Sequence, residues 1–346
     1  METLACVIHK EKDLRLENVQ VDEPAAGQVL VRVGAGGICG SDLHYYLHGG
    51  FGTVRVKEPM VLGHEVAGTV EAVGAGVTNV HPGDRVALNP SRACGQCKYC
   101  KAGTHQHCLN MKFYGSAMPT PHSQGAFRQL IVAEAYQCEL VGDTVSLGEA
   151  ACAEPLAVAL HAVAQIGDLT GKRVLVTGAG PIGSLVVAAA RWAGAEEIVV
   201  IDLHEAPLRK ALEMGADRTV NITSEPGTLA QNYTADKGYF DAVFECTGAP
   251  KIYADILPVI KPRGTIVQIG VTGEVPLLVN ALVGKEVRLI GAFRFDGEYA
   301  LSARLIKEGK INVKPIITAT LPISRAEEAF ELAADRRAQM KVQLTF

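Results

Sequence analysis

From Leu4 to Val33 apolar and polar positions alternate in short runs broken by turn residues. Ala5-Cys6-Val7-Ile8 and Leu14-Arg15-Leu16 have the period of strands, and Pro24-Ala25-Ala26-Gly27 turns the chain into Gln28-Val29-Leu30-Val31-Arg32-Val33. The alternation resumes at 68–74 and 84–88, punctuated by Gly74, Gly76, Pro82 and Gly83. A period of two with frequent breakers predicts a β-rich domain, a small barrel or sandwich. Near residue 155 the pattern changes to continuous apolar runs that alternate with helical stretches. Strands are expected at 172–177, 197–201, 218–221, 240–246, 265–269 and 287–290, and helices at 184–193, 207–214 and 251–260. Strand–helix alternation of this kind builds a doubly wound parallel sheet of about six strands. After about Phe293, helical patterns at 299–307 and 323–334 around short strands return the chain to the first domain. The fold class is therefore α/β. A β-barrel-type domain over 1–154 and 293–346 is interrupted by a parallel-sheet domain over 155–292.

The chain has 346 residues, 48% hydrophobic and 20% charged, with a formal net charge of −4. That composition supports full cores and gives no basic footprint for nucleic acid or an anionic membrane surface. The N-terminus lacks a basic segment followed by an apolar one, and no apolar stretch approaches the roughly 18 residues of a membrane span, so a cytoplasmic protein without nucleic-acid or membrane partners is expected. Four of the nine cysteines fall within fifteen positions, a distribution that favours metal ligation in a reducing compartment over a disulfide framework. Cys6, Cys138, Cys152 and Cys246 sit in apolar contexts and are expected as inert core thiols.

Cys94, Cys97, Cys100 and Cys108 form C-x2-C-x2-C-x7-C, enough thiolates to close a tetrahedral shell around one structural zinc in a lobe of about 89–115. The long last gap argues against an iron–sulfur run, and His105 and His107 are expected as solvated loop residues. A second metal set is scattered. Cys39 lies among Ser41, Asp42 and His44 between glycines, His64-Glu65 follows Gly63, and Glu154 stands in an apolar segment where an acid needs a partner. In the second domain Gly178-Ala179-Gly180-Pro181-Ile182-Gly183 follows a strand and opens a helix, the context in which G-x-G-x-x-G cradles a dinucleotide pyrophosphate. Asp202, nineteen residues after Gly183 at the end of the next strand, suits the ribose hydroxyls of NAD and repels a 2′-phosphate, while Arg209 keeps NADP use open.

Together G-G-I-C-G-S-D-L-H-Y-Y, V-L-G-H-E, the cysteine run, A-E-P-L-A-V and V-T-G-A-G-P-I-G resemble the zinc-dependent medium-chain alcohol and polyol dehydrogenases over the whole chain. The resemblance implies a GroES-like catalytic domain, a Rossmann domain, two zinc ions per chain, NAD or NADP, and a homodimer or homotetramer. It implies Cys39, His64 and Glu154 as ligands of the catalytic zinc, with Glu65 an adjacent acid that ligates or holds the zinc-bound water. Asp42 would orient His64, Ser41 would meet the substrate oxygen and His44 would relay the proton outward. Segments 87–91, 113–118 and 291–295 look most like the branch that oxidises sugar acids, with polyol enzymes more distant. Tyr45, Tyr114 and Ser116 are then expected at the substrate pocket and Arg294 near a substrate carboxylate, with a structural arginine as the alternative. Competing expectations are a sorbitol, xylitol or threonine dehydrogenase, a catalytically silent nucleotide-binding relative, and a zinc-stabilised interaction module.

Overall fold

The computed structural model, described over residues 1–271 and 273–346, divides into two units. One comprises Met1–Glu154, Tyr299–Lys310 and Ile317–Phe346, the other Pro155–Glu298 and Ile311–Ile316.

The first unit is organised around the strand Gln28–Gly37. It pairs antiparallel with Glu65–Val73 along one side, from Val29 opposite Val73 to Gly37 opposite Glu65. On its other side it meets Leu130–Glu134 along its first half and Lys341–Thr345 at its end. Arg85–Leu88, Cys138–Leu140 and Ile317–Pro322 complete a seven-stranded sheet, and Glu2–Lys10, Asp13–Gln20 and Met60–Val61 form a second of three strands. The alternation predicted these strands because one face is apolar: Val29, Val31, Val33, Val66, Val70, Val86, Leu88, Val342 and Leu344 pack with Phe127 and Phe330 in one core. Each such side chain contributes roughly 1.5–3 kcal/mol by leaving water. The register at Gly37 also gathers residues from near positions 39, 65 and 341.

Immediately after Cys39 the chain is helical over Gly40–His48, an element that the alternation does not announce. Cys39 is its N-cap, and Asp42 at the third position turns its carboxylate back to the Cys39 N–H at 3.0 Å. Gly49, in the left-handed region at φ 63°, ends it.

In the second unit the six strands are all parallel, in the order Arg218–Asn221, Glu197–Asp202, Arg173–Thr177, Phe240–Glu245, Ile260–Gln268, Arg288–Gly291. The order reverses between Arg173–Thr177 and Phe240–Glu245, the position at which doubly wound sheets open a crevice for ligands. The helix Pro181–Trp192 begins three residues earlier than the apolar pattern suggests, because Pro181 supplies a preset φ and lacks the N–H that a first turn leaves unpaired. Among the described residues no helix is long and apolar enough to cross a membrane.

Candidate metal centres and dinucleotide cradle

Cys39, His64 and Glu65 bring a thiol, an imidazole and a carboxylate within 4.8 Å of one another; Cys39 is half-buried, and His64 and Glu65 are buried. Strand pairing creates this cluster: Gly37 sits opposite Glu65, and a side chain at Gly37 would put its Cβ 2.2 Å from Glu65 Oε2. Glycine is therefore needed for the carboxylate to lie against the strand. At Gly63, φ of +91° and the ring of Phe127, 2.1 Å from where a Cβ would stand, impose the same residue type and fix the approach to His64.

His64 Nδ1 and Glu65 Oε2 are buried without a hydrogen-bond partner. Orphaned buried groups of this kind cost about 1–3 kcal/mol each unless something else satisfies them. A thiol, an imidazole and a carboxylate converging with free lone pairs form a donor set that suits zinc, and with only three protein ligands they leave a coordination position open. Electrostatics agrees. Burial and the Glu65 carboxylate push the Cys39 thiol up to about 11, and a cation is what would reverse that.

Glu154 lies in the first turn of Ala153–Ala164, outside the group of three. It is still electrostatically joined to that group. Burial raises its carboxyl to about 8 against the opposing pull of His64, with Glu65 and Cys39 adding to the rise.

Asp42 stands 3.8 Å from His64 Nδ1, beyond hydrogen-bond range, and its oxygens accept from the backbone N–H groups of Cys39 at 3.0 Å and Gly63 at 3.2 Å. It thus ties the segment that carries Cys39 to the one that carries His64. Ser41 is half-buried in the first helical turn. His44, also half-buried, lies 5.9 Å from the ring of Phe51 and 6.0 Å from that of His48, and burial, then Arg336 and His48, lower its pKa.

The remaining pocket candidates use their hydroxyls inside the unit. Tyr45 is buried and its hydroxyl accepts from Ala117 N–H at 3.1 Å. Tyr114 donates to Gln137 Oε1 at 3.3 Å, and Ser116 Oγ accepts from Met118 N–H at 3.3 Å. In the second unit Arg294 holds a left-handed backbone at φ 55° with its guanidinium 5.0 Å from the centre of the Phe293 ring.

Lys341 was not among the candidates. It is buried, and its ammonium donates to Glu65 Oε1 at 2.7 Å and to Ile38 O at 3.2 Å, while Glu65 Oε2 has no hydrogen-bond partner. Burial alone would lower its pKa, but Glu65 and Cys39 more than offset this and hold it above the ordinary lysine range. The available signal was Lys341 and Gln343 standing two apart in an otherwise apolar final strand, which puts both on one face.

The four sulfurs of Cys94, Cys97, Cys100 and Cys108 also lie within 4.8 Å of one another. Backbone N–H groups of Gln96 and Cys97 pull the Cys94 thiol down to about 6, and those of Cys100 and Leu109 lower Cys97. Cys108 Sγ accepts from Cys94 N–H at 3.2 Å and Asn110 N–H at 3.4 Å. N–H groups turned toward sulfur favour thiolates at Cys94 and Cys97, while burial and the Cys97 and Cys108 sulfurs push Cys100 up to about 12, so the four-thiol set fits a closed tetrahedral zinc site whose ion would hold all four as thiolates. His105 and His107 are exposed beside it.

The glycine loop has the shape that a dinucleotide requires. Gly178 is left-handed at φ +87°, a Cβ at Gly183 would strike Gly178 O at 1.8 Å, and the space beside Gly180 is open. Gly180 caps the helix Pro181–Trp192, and a helix N-terminus with its unpaired first-turn N–H groups is the kind of place that favours a phosphate. Asp202 closes the rim: Oδ2 accepts from Ala179 N–H at 2.7 Å and Oδ1 from His204 N–H at 3.0 Å. Arg209 is exposed on the following helix.

Comparison with known proteins matches both units. The alcohol dehydrogenase GroES-like domain matches residues 25–143 and the zinc-binding dehydrogenase domain residues 181–308. The chain is 41% identical to an L-idonate 5-dehydrogenase (NAD(P)(+)) of Escherichia coli, covering 100% of this chain and 99% of that protein, and the crystal structure of the L-idonate 5-dehydrogenase from Escherichia coli superposes with a TM-score of 0.96. A sorbitol dehydrogenase of Gallus gallus is 39% identical over 95% of this chain and 93% of its own length. A zinc-binding dehydrogenase of Sinorhizobium meliloti, solved bound to NADP, is 29% identical with a TM-score of 0.90, and the match covers 100% of both chains. The orphaned donors in one unit and the glycine cradle in the other thus meet in one lineage, and the chain belongs to the zinc-binding alcohol dehydrogenase family with a GroES-like domain.

Proposed function

We propose that the chain oxidises a secondary alcohol of a sugar acid, L-idonate to 5-keto-D-gluconate, with NAD as the preferred acceptor and NADP as a second. The full-length likeness to an L-idonate 5-dehydrogenase carries this choice of substrate. The first unit, with its cysteine lobe, is the catalytic domain in this proposal, and the second is the dinucleotide domain. When bound, zinc supplies a Lewis acid to the substrate hydroxyl and the dinucleotide supplies the hydride acceptor.

The chain's own groups do the rest. Cys39, His64 and Glu65 would hold the catalytic ion, Glu154 is the acid poised to exchange with Glu65, and Cys94, Cys97, Cys100 and Cys108 would hold the structural ion. Ser41 takes the proton of the substrate hydroxyl. His44 passes it outward, a task that its half-buried place and lowered pKa suit, since a neutral imidazole can accept a proton near pH 7. Tyr45, Tyr114 and Ser116 shape the wall of the pocket through the turn they brace. Asp202 selects the unphosphorylated ribose.

Arg294 binds the substrate carboxylate in this proposal. A non-glycine residue held at φ 55° stores about 1–3 kcal/mol of strain, which a fold retains where a side chain must be aimed. Arg294→Ala should raise KM for L-idonate by about 10- to 100-fold and leave KM for sorbitol within about threefold, because only the aldonate offers a carboxylate for a charge-assisted pair. Steady-state rates on L-idonate, sorbitol, xylitol and threonine, each with NAD and NADP, provide the measurement; equal effects on aldonate and polyol would remove Arg294 from this role. The likeness to a sorbitol dehydrogenase supports a polyol substrate as the second reading, and faster wild-type turnover of sorbitol than of L-idonate would establish it.

A homo-oligomer in the cytoplasm completes the proposal. The strand Arg288–Gly291 is one of the two edges of the six-stranded sheet, and Leu289, with Leu278, Val279 and Val283 nearby in sequence, is 40–67% exposed. An apolar sheet edge left open is an aggregation liability unless another strand covers it, and a second copy of this chain offers a matching edge. Light scattering should give a multiple of the 36.7 kDa chain for the wild type and a lower mass for Val283→Asp; an unchanged mass would place the contact elsewhere.

A further inference from the structure

Glu245 ends the strand Phe240–Glu245 beside the reversal of strand order and is 0% exposed. A buried carboxylate is costly unless its lone pairs are filled, and here uncharged donors fill them. Oε1 accepts from the N–H groups of Thr247 at 2.7 Å and Gly248 at 3.1 Å, and from the hydroxyls of Thr177, at 3.2 Å, and Thr247. Oε2 accepts from Gly248 N–H at 3.0 Å and Gln268 Nε2 at 2.6 Å. The backbone carbonyl of the same residue accepts from Ile269 N–H at 2.8 Å and Gly270 N–H at 2.9 Å.

One residue therefore ties together the ends of three adjacent strands. The turn 246–248 after its own strand, the turn 269–270 after Ile260–Gln268 and Thr177 at the end of Arg173–Thr177 all close on it. The packing leaves little slack. A Cβ at Gly270 would meet Gly248 N at 2.3 Å and Glu245 Oε2 at 2.9 Å, and one at Gly178 would meet Thr247 Cγ2 at 2.8 Å. The two turns thus lean on each other and on the first glycine of the phosphate loop.

A dinucleotide lies across such a sheet with one mononucleotide on each half. Asp202, on the half that contains Arg173–Thr177, Glu197–Asp202 and Arg218–Asn221, marks the adenosine side. The nicotinamide side then falls on the turns that Glu245 holds. We propose that Glu245 is a positioning residue that pre-organises turns 246–248 and 269–270 as the seat of the nicotinamide half. It acts through their backbone rather than by touching the cofactor, and the proposal rests on the dinucleotide reading of this unit.

Binding of NADH and of ADP-ribose, which lacks the nicotinamide, separates this role from a general structural one. Glu245→Gln keeps the shape but turns an amide N–H₂ toward backbone donors, so the dissociation constant for NADH, read by its fluorescence, should rise about tenfold. That for ADP-ribose, read by calorimetry, should stay within about twofold. Thr247 is exposed, so Thr247→Val leaves the core untouched and should weaken NADH about threefold with the same indifference to ADP-ribose. Equal weakening of both ligands, or of neither, in the variants that fold would overturn the proposal. A wild-type chain that binds neither ligand would remove the dinucleotide reading and the proposal together.

Discussion

Cys39→Ala should lose one of two zinc ions per chain and at least about 10³-fold in kcat/KM, with NADH affinity unchanged. The size follows from what the ion supplies. Lewis-acid stabilisation of developing negative charge is worth several kcal/mol, and each 1.36 kcal/mol is about tenfold in rate. The selectivity follows from the fold, since the glycine loop and Asp202 lie in the other unit and the four-cysteine cluster is separate in sequence. The same measurement distinguishes the acids. Glu65→Gln should lower zinc occupancy because Glu65 is in the group within 4.8 Å, whereas Glu154→Gln should retain the ion at rest, since Glu154 lies outside that group. Metal analysis after dialysis, beside steady-state kinetics, is the readout. Full zinc in Cys39→Ala with less than a tenfold rate loss would show that the thiol is not a ligand.

Several strands were legible because alternation and burial coincide. Arg218–Asn221 lies where the pattern predicts it, Gln28–Gly37 buries Val29, Val31 and Val33 at alternate positions although Leu30 is buried on the other face as well, and Arg173–Thr177 is buried almost throughout, as a continuous apolar run implies. The helix Gly40–His48 was not legible. Ser41, Asp42 and His44 crowd its exposed-looking sequence with polar groups, and its cap is a cysteine, a residue type outside the usual N-cap set, so the capping pair of Cys39 with Asp42 carries little signal. The strand Ile260–Gln268 begins five residues before the apolar run at 265–269, because Lys261, Arg263 and Gly264 lie at its irregular start, where Arg263 adopts φ 63°. Register, not composition, made that segment a strand.

The candidate centre shows the same division. Cys39, His64 and Glu65 were visible as chemistry, but their convergence depends on Gly37 pairing with Glu65, a contact between strands that no local period encodes. Lys341 lay deeper still. It is 276 residues from the carboxylate it holds, and a lone lysine in a terminal strand reads as an exposed edge residue until the pairing of Lys341–Thr345 with Gln28–Gly37 is known. Glu245 escaped notice for a related reason: half of the bonds to its carboxylate come from backbone N–H groups, which a sequence does not distinguish, and Thr177 and Gln268 reach it only through strand pairing.

Lys341→Met should destabilise the zinc-free protein by about 3–5 kcal/mol, the range for breaking a buried ion pair by removing one partner. Both members are almost wholly enclosed, with side-chain exposures of 4% and 1%, so Glu65 would be left as an uncompensated buried acid. Zinc offers that acid a second source of positive charge, since Glu65 Oε2 has no hydrogen-bond partner in the pocket. The loss should therefore be smaller in the zinc-loaded variant, and the ion should stabilise Lys341→Met more than it stabilises the wild type. Glu65→Gln combined with Lys341→Met should recover about 1–3 kcal/mol of the zinc-free loss, because the neutral amide no longer needs a cation. Urea unfolding of the four proteins, with zinc and after chelation, measures each difference. Equal losses with and without zinc, and additive single substitutions, would mean that Lys341 fills space in the core and does not govern the charge of Glu65. The balance between lysine and metal at one carboxylate would then have to be sought at Glu154, whose own pKa, lifted to about 8 chiefly by burial, already responds to Glu65 and Cys39.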